Sequence, residues 1–157
     1  MSSVEAPNLD RQQREDALAA FIALRESDMR VWRRASASLD LSSPGTFALT
    51  MILRADLREQ PLRQIDLGQA LRLSPAGVSS IVDDLEKRRL VQRAVSSSDR
   101  RAFLLRAGEA AGSLLDALRR SDEEVLAYMD ECTPDQVEAI TALLERVRAL
   151  RDSTFSE

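Results

Sequence analysis

LGQALRLSPAGVSSIVDDLEKRRLV, residues 67–91, is the stretch whose reading decides the fold. Its pivot is Ser74-Pro75. Serine is a favoured helix N-cap, and proline is pre-shaped for the first helical position. From there Val78, Ile81, Val82 and Leu85 recur at i, i+3, i+4 and i+7, which makes one apolar stripe on a helix. The opposite face carries Ala76, Ser80, Asp83 and Lys87. Immediately upstream, Leu62 to Leu71 reads as a shorter helix with Ile65, Leu67, Ala70 and Leu71 available for burial. Two short helices joined by a sharp connection form a helix-turn-helix. The second helix of such a pair fits the major groove of duplex DNA and reaches base edges with its N-terminal residues. Its free backbone N–H groups also favour an anion.

Downstream, Leu90 to Val95 alternates apolar and polar positions, as a strand does. Ser96-Ser97-Ser98-Asp99 reads as a turn, and Ala102 to Leu105 as a second short strand. Strand, basic turn, strand is a hairpin. Beside a helix-turn-helix it makes a wing, whose basic tip is suited to a minor groove.

The flanks read as helix. Residues 1–9 are expected to be disordered. A long helix spans 10–40, with Leu18, Phe21, Ile22, Met29, Trp32 and Leu39 at mostly helical spacing. Ser43-Pro44 starts a second helix, with Ser43 as its cap, ending near Leu57; Phe47, Leu49, Met51, Ile52 and Leu53 supply its apolar side. After Gly108 come two more helices. The first carries Leu114, Leu115, Leu118, Val125, Leu126 and Met129. The last, opened by Thr133-Pro134, carries Val137, Ile140, Leu143, Leu144, Val147 and Leu150. The fold class is therefore mainly α with a small β-hairpin wing. A winged helix-turn-helix lobe, 43–106, is flanked by a helical module formed from 10–40 and 107–152.

Composition agrees and excludes much else. The chain has 157 residues, 44% hydrophobic and 31% charged, with only 4% aromatic, a helix-leaning, globular profile. It has no histidine and a single cysteine, Cys132. That removes the commonest general base and metal ligand and any internal disulfide, so neither a metal, a cofactor nor an enzymatic activity is expected. No Gly-rich phosphate loop is present, and pairs such as Asp83-Asp84 and Glu123-Glu124 read as solvated surface. Cys132 follows Asp130 and Glu131, which disfavour a thiolate, so an inert thiol is expected. No apolar run approaches membrane-spanning length and no secretory signal is read, so the expected location is the cytoplasm, with no membrane partner. The net charge is −4, but it is unevenly spread: 61–106 holds nine Lys/Arg against five Asp/Glu, whereas 107–157 is strongly acidic.

Residues 67–91, followed eight positions later by Asp99-Arg100-Arg101, resemble the winged helix-turn-helix of the MarR (multiple antibiotic resistance regulator) family. The resemblance is best over residues 62–106, and the helix order outside it also fits. It implies a DNA-binding transcriptional regulator, a repressor by expectation, that binds an inverted-repeat operator as a homodimer. Carried onto matching positions, it makes Arg101 the minor-groove contact, with Arg100 second, and Asp99 the residue that structures the wing. Pro75, Ala76, Gly77, Ser79 and Ser80 would approach the duplex, and Ser74 would cap the helix and touch a phosphate.

Some positions depart from the family. Ser80 and Asp84 stand where many members have arginine, and Arg89 where glycine is usual. Ala107-Gly108 replaces the usual Leu-Thr start of the following helix. Asp83 and Asp84 put negative charge on or beside the face that a duplex would meet. They keep open an alternative: a winged helix that binds another protein and has lost sequence-specific DNA binding.

The outer helices carry more apolar residues than a small winged-helix core can bury, which points to a second copy as partner. Phe21, Leu144, Val147 and Leu150 are the interface candidates. The resemblance further implies a small aromatic or phenolic effector in a pocket between the dimer module and the DNA-binding lobe. Trp32, Phe47 and Met51 are its candidate lining, ordinary core packing being the other reading of each.

Overall fold

The computed structural model describes residues 10–95 and 103–154. Asp99, Arg100 and Arg101, the wing residues singled out above, lie outside the described residues.

The elements run α1 (Arg11–Leu39), α2 (Ser43–Leu57), β1 (Leu62–Arg63), α3 (Gln64–Leu71), α4 (Pro75–Lys87), β2 (Val91–Val95), β3 (Phe103–Ala107), a 3₁₀ turn (Glu109–Ala111), α5 (Gly112–Met129) and α6 (Pro134–Thr154). Two local expectations are corrected. The N-cap of α2 is Ser42, whose hydroxyl accepts from the Gly45 N–H at 3.2 Å; Ser43 is already helical. Leu62 and Arg63 do not begin the third helix. They pair with β3, Leu62 opposite Leu105 and Arg63 opposite Leu104, so the expected two-stranded hairpin is part of a three-stranded antiparallel sheet in the order β1-β3-β2. A third strand is what such a hairpin needs, because two strands alone are marginal in water.

The core is centred on the lobe. Ala48, Leu49, Ile52 and Leu53 from α2 meet Leu67 from α3 and Val78, Val82 and Leu85 from α4. Val91 and Leu105 cover this cluster from the sheet, with Leu90 just before β2, and Ala111 and Leu118 close it from the C-terminal side. Ile65, Ala70 and Phe47, read from spacing as buried, are instead exposed. For the first two the reason is the short α3, which offers only Leu67, Gly68 and the partly buried Leu71 to the core. Phe47 lies on the side of α2 that faces α1.

Two sharp turns frame α4. Arg72, at the end of α3, has φ 52°, and the Leu73 N–H donates to the Gly68 carbonyl. Arg89, after α4, has φ 58°, and the Leu90 N–H donates to the Leu85 carbonyl. Both are left-handed helix terminations at which glycine is the usual residue. Gly68 lets the two helices of the motif close up: a Cβ there would stand 3.1 Å from Val78 Cγ2.

The outer helices contrast with the lobe. Leu18, Ile22, Leu24, Met29 and Val31 of α1 are exposed, as are Val125, Leu126, Tyr128 and Met129 of α5 and Ile140, Leu143, Leu144 and Leu150 of α6. α1 and α6 meet at Phe21, whose ring has the guanidinium groups of Arg25 and Arg151 at 5.9 and 6.0 Å from its centroid. Thr133 opens α6 with a reciprocal cap: its backbone N–H donates to Gln136 Oε1 at 2.8 Å, and its hydroxyl accepts from the Gln136 N–H at 3.3 Å. No helix among the described residues is long and apolar enough to cross a membrane.

Candidate nucleic-acid interface

The candidate site is built on α4. Ser74 caps it in an extended conformation, its hydroxyl accepting from the Gly77 N–H at 3.2 Å and its carbonyl from the Val78 N–H at 3.0 Å. One face of α4 is spent on the core through Val78, Val82 and Leu85. The other forms a shallow surface of Ala76, Ser79, Ser80, Asp83, Asp84 and Lys87. Ser74, Pro75, Ala76 and Ser80 are exposed, while Gly77 and Ser79 are half-buried. The first two turns thus present only small side chains. A helix so trimmed brings its backbone close to whatever it docks into.

The acids of α4 are not bare. Asp84 accepts from Arg88 Nε at 3.0 Å, and Arg88 Nη1 also donates to the Leu39 carbonyl at 3.0 Å, tying the end of α4 to the end of α1. Asp83 accepts from Arg93 Nη2 at 2.6 Å, and Glu86 pairs with Nη1 of the same arginine. The charges that weighed against a polyanion in the sequence are therefore countered by partners that the fold supplies.

Sequence reasoning overlooked two contributors. Arg72 stands in the tight turn just before Ser74, is exposed, and makes no ion pair among the described residues. The signal was present: a long cationic side chain at a turn position better suited to glycine. Arg93 counted only as one more positive charge, because its partners lie seven and ten positions back on another element.

Behind the interface, β1 and α3 are joined by Asp66, whose carboxylate accepts from Arg63 Nε at 2.9 Å, Nη2 at 2.7 Å and the backbone N–H at 3.3 Å. The side-chain bond from Arg63 holds the Asp66 carboxyl below its usual range. Asp56 of α2 fastens the sheet, accepting from Arg106 Nη1 at 2.8 Å and the Ala107 N–H at 2.9 Å.

Trp32 and Phe47 line one open cleft of about 430 Å³ between α1 and α2, together with Met29, Arg33, Thr46 and Thr50. Met51 is not part of it and packs against the core. Phe21 and Val147 are half-buried, and Leu144 and Leu150 are exposed. No group of three or more metal-ligating side chains occurs among the described residues.

Residues 47–102 match the sequence model of the MarR family, the segment that runs from α2 through α4 to the wing. No curated protein matches the chain by sequence. Among solved structures, a mutant MepR from a multidrug-resistant S. aureus clinical isolate superposes with a TM-score of 0.57 at 18% identity, covering 84% of this chain and 95% of that one. S. aureus MepR bound to ethidium bromide gives 0.51 at 16% identity, covering 92% and 98%. The transcriptional regulator Tm0710 from Thermotoga maritima gives 0.50 at 19% identity, covering 89% and 99%. At such identities the likeness is one of fold. The lobe is a MarR-type winged helix, and its flanking helices follow the same architecture.

Proposed function

We propose that this MarR-type winged-helix chain is a transcriptional regulator that binds duplex DNA as a homodimer and represses from an inverted-repeat operator. The observation that carries the reading is the exposed face of α4: a capped N-terminus, small side chains over its first two turns, and acids countered by Arg88 and Arg93. The first turns enter the major groove, with Ser74, Pro75, Ala76, Gly77, Ser79 and Ser80 nearest the bases and backbone. Arg72 and Lys87 supply phosphate contacts at the two ends of the helix, and Arg101, with Arg100 second, carries the wing's minor-groove contact. Asp99 shapes the wing turn.

The apolar residues left open on α1, α5 and α6 support the second copy, with Phe21, Leu144, Val147 and Leu150 at the seam. The Trp32–Phe47 cleft is the place for a small aromatic or phenolic effector, and MepR has been solved with ethidium bromide bound. An effector that prefers one spacing of the two recognition helices shifts DNA affinity by that preference.

Selection from a pool of random duplexes at low and moderate salt tests the reading. The native chain should enrich an inverted repeat, salt should weaken binding, and Arg101→Ala should weaken it further. Folded native protein that selects nothing at low salt, with or without aromatic ligands, would overturn it in favour of a protein-binding winged helix.

A further inference from the structure

Three parts of the lobe meet at one side chain. Arg93 sits in β2, yet its guanidinium reaches Asp83 Oδ1 at 2.6 Å and Glu86 on α4, and Gln64 Oε1 on α3 at 3.4 Å. The arginine is itself largely covered, its side chain 23% exposed, while Asp83 and Glu86 are 57% and 41% exposed. Asp83 and Glu86 are three residues apart and so lie one above the other on α4. A planar fork with two donor edges suits that spacing, which a single ammonium point charge does not.

We infer that Arg93 is a positioning residue for DNA recognition: it sets the wing strand at a fixed angle to the recognition helix and masks two carboxylates that would otherwise repel the duplex. The inference rests on the DNA-binding reading above. Without Arg93 two carboxylates on α4 would face a polyanion unopposed. The wing would keep its backbone pairing within the sheet but lose its side-chain anchor on α4. Affinity falls through the first effect and discrimination through the second. A surface ion pair kept merely for stability contributes little, and losing it would move neither.

The test compares native protein, Arg93→Met, the triple variant Arg93→Met/Asp83→Asn/Glu86→Gln, and Asp83→Asn/Glu86→Gln. Each is confirmed folded by circular dichroism and assayed on the selected repeat and on random duplex. Arg93→Met should bind the repeat roughly tenfold or more weakly, as for a like charge brought against a polyanion. The triple variant should recover much of that affinity, because the exposed charges are gone, but not the ratio of selected to random binding. The double variant, which keeps Arg93 and needs no core change, should bind random duplex more tightly and discriminate less. Equal affinity of native and Arg93→Met, no recovery in the triple variant, or a native selectivity ratio in the double variant would each overturn the inference while leaving DNA binding intact. Absence of binding by the native chain would instead remove the reading on which it rests.

Discussion

Gly108 and Arg89 are in such close apposition that a Cβ on Gly108 would stand 2.7 Å from the Arg89 carbonyl carbon and nearer still to its oxygen. The chain leaving β3 crosses directly over the turn that ends the recognition helix. The crossing is sewn by the Gly108 N–H to the Leu90 carbonyl and the Ala110 N–H to the Arg89 carbonyl, both at 2.9 Å. The obstruction is backbone, which cannot rotate aside. Gly108→Ala should therefore destabilise the lobe by about 3 kcal/mol, at the upper end of overpacking costs. Chemical denaturation should show a lower midpoint; an unchanged midpoint would mean that the crossing yields more readily than backbone should.

Arg89 and Arg72 both hold positive φ values that cost an L-residue energy. Replacing either by glycine should stabilise the fold by roughly 0.5–1 kcal/mol, strain relief exceeding the added unfolded-state entropy. The pair separates stability from binding. Arg72→Gly should also weaken duplex binding, because it removes a cation beside the helix N-terminus. Parallel denaturation and DNA titration would check this, and a loss of stability in Arg89→Gly would contradict it.

Asp56 takes the place of a missing strand. β1 begins only at Leu62, opposite Leu105, so nothing of the sheet stands beside Ala107 on that edge, and the Asp56 carboxylate takes its N–H. Asp56→Ala would leave that N–H and Arg106 without their acceptor. The expected cost is about 2 kcal/mol, as for a charged hydrogen-bond acceptor removed from a largely covered site. Amide exchange at Ala107 should accelerate relative to the rest of β3; uniform exchange would refute the assignment.

The Arg63–Asp66 pair predicts an acid-side signature. Its side-chain bond depresses the Asp66 carboxyl below the ordinary value. The resulting stability is present above the unfolded-state value, about 3.9, and is lost as pH falls through the lower folded value. Arg63, whose own value is raised, stays charged throughout and adds no slope. Asp66→Asn should show a shallower decline of stability on acidification than the native chain. The effect is small because both groups are solvent-accessible. Matched native and variant pH curves would remove Asp66 from the account.

Much of this fold was legible because its signals are local. Ser74-Pro75 and the Val78–Leu85 stripe located the recognition helix by capping and period alone. β1 escaped because two residues have no period, and its identity comes from a partner some forty positions later. Ser42 and Ser43 are chemically equal caps, and only the backbone chose between them. The acids of α4 read as hostile to DNA because Asp83 and Arg93 are distant in sequence and become neighbours only when β2 folds back along α4. Burial of Ile65 was misread for a different reason: spacing identifies a face, not the length of core available to meet it.

The uneven covering of the chain has a thermodynamic consequence. The lobe owns nearly all the fully buried side chains, whereas α1 and α6 keep most of their apolar side chains in water. In the proposed homodimer, heated at increasing protein concentration, the lobe's transition should stay fixed while that of the outer helices climbs, as mass action requires of segments that a second copy would complete. The lobe's stability is then a property of a molecule, and that of the outer helices is a property of a solution.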